Sequence, residues 1–281
     1  MPTYDQLTVR ISLDQLLCLE ARDGWGDAEP YMWNIFFKID GSTTQANPGY
    51  GYGGNATVYS PAGSHGNLGR DSVDDGEVVA IPPSIGRWTT TLQQIPDQTG
   101  GQNNMPAIVG VLSVLMEQDS VSNVGAEAGR MALRDLISKR LQDLLVSKAP
   151  NANMVPSFTQ AEIEAALADA ESQVMQAVMA KQTTLQNIKS WFNPDDMIGY
   201  DLRVFSQHEL LQGQQGQPGQ PGQQAQPGQY IQFSERFMRS GEWKIFGHIE
   251  VLGPDQAPGG PGQGGPGQGG PGQGGPGQGG R

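Results

Sequence analysis

Leu7-Thr8-Val9-Arg10-Ile11-Ser12-Leu13 alternates apolar and polar side chains at every step. A period of two is the mark of a strand with one face buried and one face in water. Working outward, the next run is of another kind. Tyr31 to Ile39 is aromatic and β-branched almost throughout, and Asp40-Gly41 then supplies a turn. Ala56–Tyr59, Glu77–Ile81 and Arg87–Leu92 are shorter strand candidates. Ile108-Val-Gly-Val-Leu-Ser-Val-Leu115 is nearly continuous in apolar residues and suits a central strand. Ile198–Phe205, Tyr230–Phe237 and Glu242–Leu252 follow, with Ser240-Gly241 placed for a tight hairpin between the last two. About nine strands joined by short polar turns point to an antiparallel β-sandwich spanning residues 5–252.

Between Gly125 and Asn193 the period changes. Leu133, Leu136, Ile137, Leu141, Leu144 and Leu145 follow the three-and-four spacing of a helix face. Pro150 and Pro156 bracket a linker, and Thr159-Gln-Ala-Glu162 then has the form of a capping box. Ile163, Leu167, Ala170, Val174, Val178, Leu185 and Ile188 continue the stripe to Asn193-Pro194. A helix from 160 to 191 would extend roughly 48 Å. The short connection predicts an antiparallel helical hairpin over 125–193, inserted into the sandwich. Its stripes pack on each other and on the sandwich, or else form an arm for a partner.

Two stretches have no apolar side chains with which to build a core. Residues 213–229 are Gly, Pro and Gln with a single Ala, and Ala225 breaks their Gly triplet. So short and interrupted a triplet, set between strands whose ends must meet, reads as a flexible loop rather than a collagen segment. The tail, residues 253–281, repeats Pro-Gly-Gln-Gly-Gly with period five from 261 to 280, which cannot keep Gly at every third place. A disordered spacer tail is expected there, with weak self-association as the other reading. About 235 residues remain, enough for one well-buried domain with an insertion.

The net charge of −12 argues against nucleic acid and against simple attraction to anionic membranes, and it suits a cation load. Cys18 is the only cysteine, so an intrachain disulfide and a cysteine-rich zinc cage are both excluded. Its place in Leu16-Leu-Cys-Leu19 makes it a small buried residue. His65, His208 and His248 are far apart in sequence and show no transition-metal spacing. The N-terminus lacks the basic stretch and apolar run of a secretory signal, and nothing reaches transmembrane length. A cytoplasmic protein is the default expectation, with leaderless export left open.

Acidic residues gather in two separated places. The first is Asp23-Gly-Trp-Gly-Asp27-Ala-Glu29-Pro30-Tyr31. The second is split between Glu117-Gln-Asp119 and Asp195-Asp196-Met-Ile-Gly199. The first stretch, leading into an aromatic strand, resembles the first calcium loop of the C2 domain, the calcium-dependent phospholipid-binding module of protein kinase C and synaptotagmin. Glu117-Gln-Asp119 after an apolar strand and Asp196-Met-Ile-Gly199 opening the next resemble its third loop. Glu29 and Glu117 stand where that family carries Asp, no match is found over 41–105, and a lysine-rich strand for inositol lipids is absent. The resemblance implies a divergent C2-like β-sandwich with the helices inserted in its third loop. It implies that Asp23, Glu29, Glu117, Asp119 and Asp196 share one rim and hold Ca2+.

Elementary electrostatics supports a cation there. Two carboxylates about 4 Å apart repel by roughly 4 kcal/mol at an effective dielectric near 20. A rim of five would splay, protonate or take a divalent ion, and calcium suits many flexible oxygen ligands better than magnesium does. Dispersed, solvated turn acids are the plainer reading, since Asp-Gly is itself a turn former. Trp25, at the tip of the first loop, either packs over the sandwich end or enters a lipid interface. The expected function is therefore non-enzymatic: calcium bridging the loops to an acidic phospholipid or protein. The alternative is a structural protein that self-assembles into a homo-oligomer with its tails as spacers. An enzyme is the weakest class, because no nucleophile–base pair or phosphate loop stands out.

Overall fold

The computed structural model describes residues 6–21, 28–47, 51–96, 104–118, 123–148, 158–167, 197–212, 229–238 and 241–253. Their eleven strands are β1 (Gln6–Glu20), β2 (Pro30–Ile39), β3 (Thr44–Asn47), β4 (Gly51–Gly54), β5 (Thr57–Tyr59), β6 (Val78–Ala80), β7 (Arg87–Gln93), β8 (Ile108–Glu117), β9 (Met197–Ser206), β10 (Gln229–Phe237) and β11 (Glu242–Gly253). The helices are α1 (Pro83–Gly86), α2 (Asn123–Ser147), α3 (Gln160–Leu167) and α4 (Gln207–Gln212).

Two antiparallel sheets face each other. The first runs β10-β11-β1-β6, with β7 also pairing β1, and the second runs β5-β2-β8-β9. β1 is long enough to hold two partners end to end: Gln6 to Ser12 pairs with β7, and Gln15 to Leu17 with β6. The shift of register at Leu13/Gln15 marks the change between them. The common core takes Leu7, Val9, Ile11, Leu13 and Leu16 from β1, Met32 and Phe36 from β2, and Val109, Val111 and Leu115 from β8. Leu7, Val9, Ile11 and Leu13 alternate as the pleat requires, as do the β2 and β8 residues, and the register shift at Leu13/Gln15 carries the inward face of β1 to Leu16.

The second sheet is buried on its other face too. Trp33, Ile35, Phe37 and Ile39 of β2, with Leu112, Val114 and Met116 of β8, pack against Leu133, Ile137, Leu141 and Leu145 of α2 and Ile163 of α3. The described parts of the inserted helices, α2 and α3, are thus a third layer over the second sheet, and the stripe of α2 with Ile163 belongs to its core. A capping box starts α3 as the sequence predicts. The Thr159 N–H donates to Glu162 Oε2 at 2.9 Å, and the Glu162 N–H donates to Thr159 Oγ1 at 3.3 Å. Ser206 and Glu209 make the same reciprocal pair before α4, at 2.8 and 3.1 Å. The continuation of the second helix beyond Leu167 and the segments 213–228 and 254–281 lie outside the described residues.

The register gives the sandwich two distinct ends. β1, β8 and β10 finish, and β2, β9 and β11 begin, at one end, called the acidic pole below. At the far pole Gly253 lies beside Thr8 and Gln229 beside Val251, while the Gln207 N–H donates to the Ala107 carbonyl at 2.7 Å. Both Gly/Pro/Gln-rich segments therefore depart from the far pole. Lys38 and Asp40 close the core there: Lys38 Nζ donates to Asp40 Oδ2 at 2.8 Å and to the Thr91 carbonyl at 2.7 Å. The ion pair is buried but fully hydrogen-bonded, which is the condition for tolerating such a pair.

Candidate functional site

The acidic pole is built from the loops that follow β1, β5 and β8. The pairing of Pro30 with Glu117 fixes where the first and last of these start. Beyond that pair the zip goes on: the Gln118 N–H donates to the Glu29 carbonyl at 3.0 Å. The Glu29 N–H in turn donates to Glu117 Oε1 at 2.6 Å, a short charge-assisted bond. Two of the five residues expected to bind calcium, Glu29 and Glu117, are therefore side by side although 88 positions separate them. Asp23, Asp119 and Asp196 lie outside the described residues. The strand that follows Asp196 begins at the same rim, since Met197 pairs with Met116.

A further set of carboxylates at this pole was not among the candidates. Asp74, Asp75 and Glu77 sit on the loop between β5 and β6, whose end is laced to β1. The Gly76 N–H donates to the Cys18 carbonyl at 2.8 Å and the Cys18 N–H to the Glu77 carbonyl at 2.9 Å. Asp75 Oδ1 accepts the Ala21 N–H at 2.6 Å. Burial, and then the charges of Asp75, Asp74, Glu117 and Glu77, push the Cys18 thiol up to about 11. The four carboxylates thus place negative charge near that thiol, in addition to its burial. Arg70 offsets part of it through Glu77, at 2.9 Å. The run Asp71-Ser-Val-Asp74-Asp75-Gly-Glu77 carries the signal in sequence, but an Asp-Gly turn before a short strand explains the same letters.

The β5–β6 loop is held in place from two sides. The Asn67 amide accepts the Met32 N–H at 3.1 Å and donates to the Met32 carbonyl at 2.6 Å, standing in for a strand along the uncovered edge of β2. From α2, buried Arg130 donates to the Ser60 carbonyl at 3.2 Å and pairs with Glu127. Glu127 accepts from the Gly63 N–H and Ser64 Oγ, each at 3.3 Å, and Ser64 Oγ accepts the Trp33 indole N–H at 3.0 Å. The Arg130 hydrogen bond keeps the Glu127 carboxyl below the usual range. His65 on this loop meets the Tyr31 ring edge-on at 4.9 Å. Burial lowers its pKa, and the Glu29 charge works the other way.

No three or more His, Cys, Asp or Glu side chains are grouped as a cation cage among the described residues. Around the same rim three large apolar side chains are exposed: Val78, Val124 and Met238, at 53%, 79% and 69%. The arrangement nearest to a catalytic one lies elsewhere, on the outer face of the first sheet. There His248 Nδ1 contacts Asp14 Oδ2 at 2.7 Å, and Ser12 is the cross-strand neighbour of His248. Ser12 is 2% exposed and its hydroxyl has no hydrogen-bond partner, so the trio does not present an activated nucleophile. No helix among the described residues is long and apolar enough to cross a membrane. No protein-family model, curated protein or solved structure matches this chain.

Proposed function

We propose that the chain is a C2-like docking module whose acidic pole takes up calcium and uses it to bridge to an acidic phospholipid or protein surface. The observation that carries this reading is the meeting of Glu29 and Glu117, which joins the first and third loops at one rim. Asp74, Asp75 and Glu77 add negative field to the same pole, and Val78, Val124 and Met238 supply apolar contacts beside it. A cation bound there would relieve the mutual repulsion of the carboxylates and stabilise the fold by mass action. The protein would work by binding, without chemistry of its own.

Calorimetric titration of calcium into the full chain tests this. The parent should bind, and Glu117→Gln should weaken binding at least tenfold. Gln at 117 keeps an acceptor for the Glu29 N–H and removes only the charge, so loss of binding would not reflect loss of the rim. Asp23→Asn combined with Asp119→Asn should weaken it further, and vesicles containing phosphatidylserine should co-sediment with the parent only when calcium is present. Absence of binding heat in the parent would end the proposal. A second reading, assembly into a homo-oligomer, is favoured by the departure of both Gly/Pro/Gln-rich segments from the pole opposite the acids. Large particles that persist in chelator, seen by light scattering, would choose assembly.

A further inference from the structure

We propose that the aromatic seam formed by Tyr59 and Trp88 is a docking step for the chain's own Pro-Gly-Gln-Gly-Gly repeats, residues 261–280. Among the described residues β5 pairs only with β2, and β7 only with β1, which makes both edge strands of their sheets. Tyr59 and Trp88 reach across between them. Their rings lie 6.2 Å apart and within 19° of parallel, and Phe36 lies 6.2 and 6.0 Å from them. Phe36 is fully buried, whereas Tyr59 is 41% exposed. Trp88 is half-buried and packs in part on the sandwich core, so the outer surface of the seam is Tyr59 with the remainder of Trp88, an uncharged aromatic step on a protein of net charge −12.

Such a step suits an uncharged segment rich in proline. Pyrrolidine rings pack on aromatic faces, the contact that proline-rich recognition uses. Residues 261–280 carry Pro261, Pro266, Pro271 and Pro276, no charged residue and no apolar residue besides these prolines, and the flanking glycines leave the backbone free to approach. The tail also starts within reach. Gly253 lies beside Thr8, Thr8 pairs with Thr91, and Trp88 is three residues further along β7. Two strand spacings and three residues amount to about 14 Å. The eight residues from Gly253 to Pro261 can span up to about 27 Å, and the later prolines more. Tethering at this range gives even a weak contact a high effective concentration.

Fluorine NMR of the full chain labelled with 5-fluorotryptophan tests the proposal, with the Trp88 signal assigned through Trp88→Phe. Replacing Pro261, Pro266, Pro271 and Pro276 by Ser should move the Trp88 resonance and leave the other four tryptophan signals in place, which also reports that the fold is intact. Free peptide of four Pro-Gly-Gln-Gly-Gly repeats at several millimolar, about the concentration the tether itself supplies, should restore the parental shift in that variant. In a Tyr59→Ala background the tail substitutions should no longer move Trp88. An unmoved Trp88 signal on loss of the four prolines would overturn the proposal, as would failure of the peptide to restore it.

Discussion

β2 is buried at all ten of its positions, whereas β11 alternates buried and half-buried residues along its whole length. The two strands occupy comparable central places in their sheets. The difference lies in what covers them. β2 has the first sheet on one side and α2 with α3 on the other, while the outer face of β11 meets water. The residues say as much: Tyr31-Met-Trp-Asn-Ile-Phe-Phe-Lys-Ile39 is apolar almost throughout, and Glu242-Trp-Lys-Ile-Phe-Gly-His-Ile-Glu-Val251 alternates. A continuous apolar strand in an antiparallel sheet thus announces a third layer, and α2 and α3 are that layer. Excising 126–192 would bare Trp33, Phe37, Leu112 and Val114 together, and an apolar face of that kind promotes aggregation.

The sharpest way to break the comparison is to hollow the helical layer. Leu141→Ala or Ile137→Ala, both at fully buried positions, should each cost about 2–5 kcal/mol in denaturant unfolding. Gln232→Ala, on the open face of the first sheet, should stay within about 0.5 kcal/mol. Equal costs at the two places would mean that the helices are not core.

The next effect concerns Asp201 on β9, at the edge of the covered sheet. Burial pushes its carboxyl up to about 6, with the Arg203 charge opposing and Glu164 adding to the rise. Arg203 itself is shared with Glu235 of β10. Between the ordinary value and about 6 the folded protein keeps a proton that the unfolded chain releases, so this group makes stability fall as pH rises through that window. Asp201→Asn, neutral throughout, should gain about 3 kcal/mol at pH 7. That gain should disappear near pH 4, and a gain independent of pH would refute the assignment. The smallest effect is at the entrance to α3, where Thr159→Ala removes a capping oxygen and should cost about 1 kcal/mol by thermal unfolding. Its value lies in showing how much of the covering layer depends on α3 rather than on α2.

Much of the architecture was readable in one dimension. Each of the nine strand candidates contains or falls within an observed strand or its immediate flank, because burial on one or two faces writes its period directly into the chain. The β3–β4 hairpin was not, since Gly51, Gly53 and Gly54 give it the composition of a turn, although Tyr52, buried against Phe158, ties it to the core. At the candidate site the acids of the first and third loops were legible as two clusters. Asp74, Asp75 and Glu77 were not separable from an ordinary turn, because nothing local distinguishes a carboxylate that faces other carboxylates from one that faces water.

By itself the sequence determined where nine of the eleven described strands and the two inserted helices begin to form and which of their faces are apolar, because these follow from side-chain spacing over a few residues. Tertiary structure alone decided the order of strands within the sheets, which helices cover the continuously apolar strands, and the contact of Glu29 with Glu117. The reason is physical: such pairings join positions tens to hundreds of residues apart, and their free energy depends on the complementarity of two surfaces that no local pattern contains.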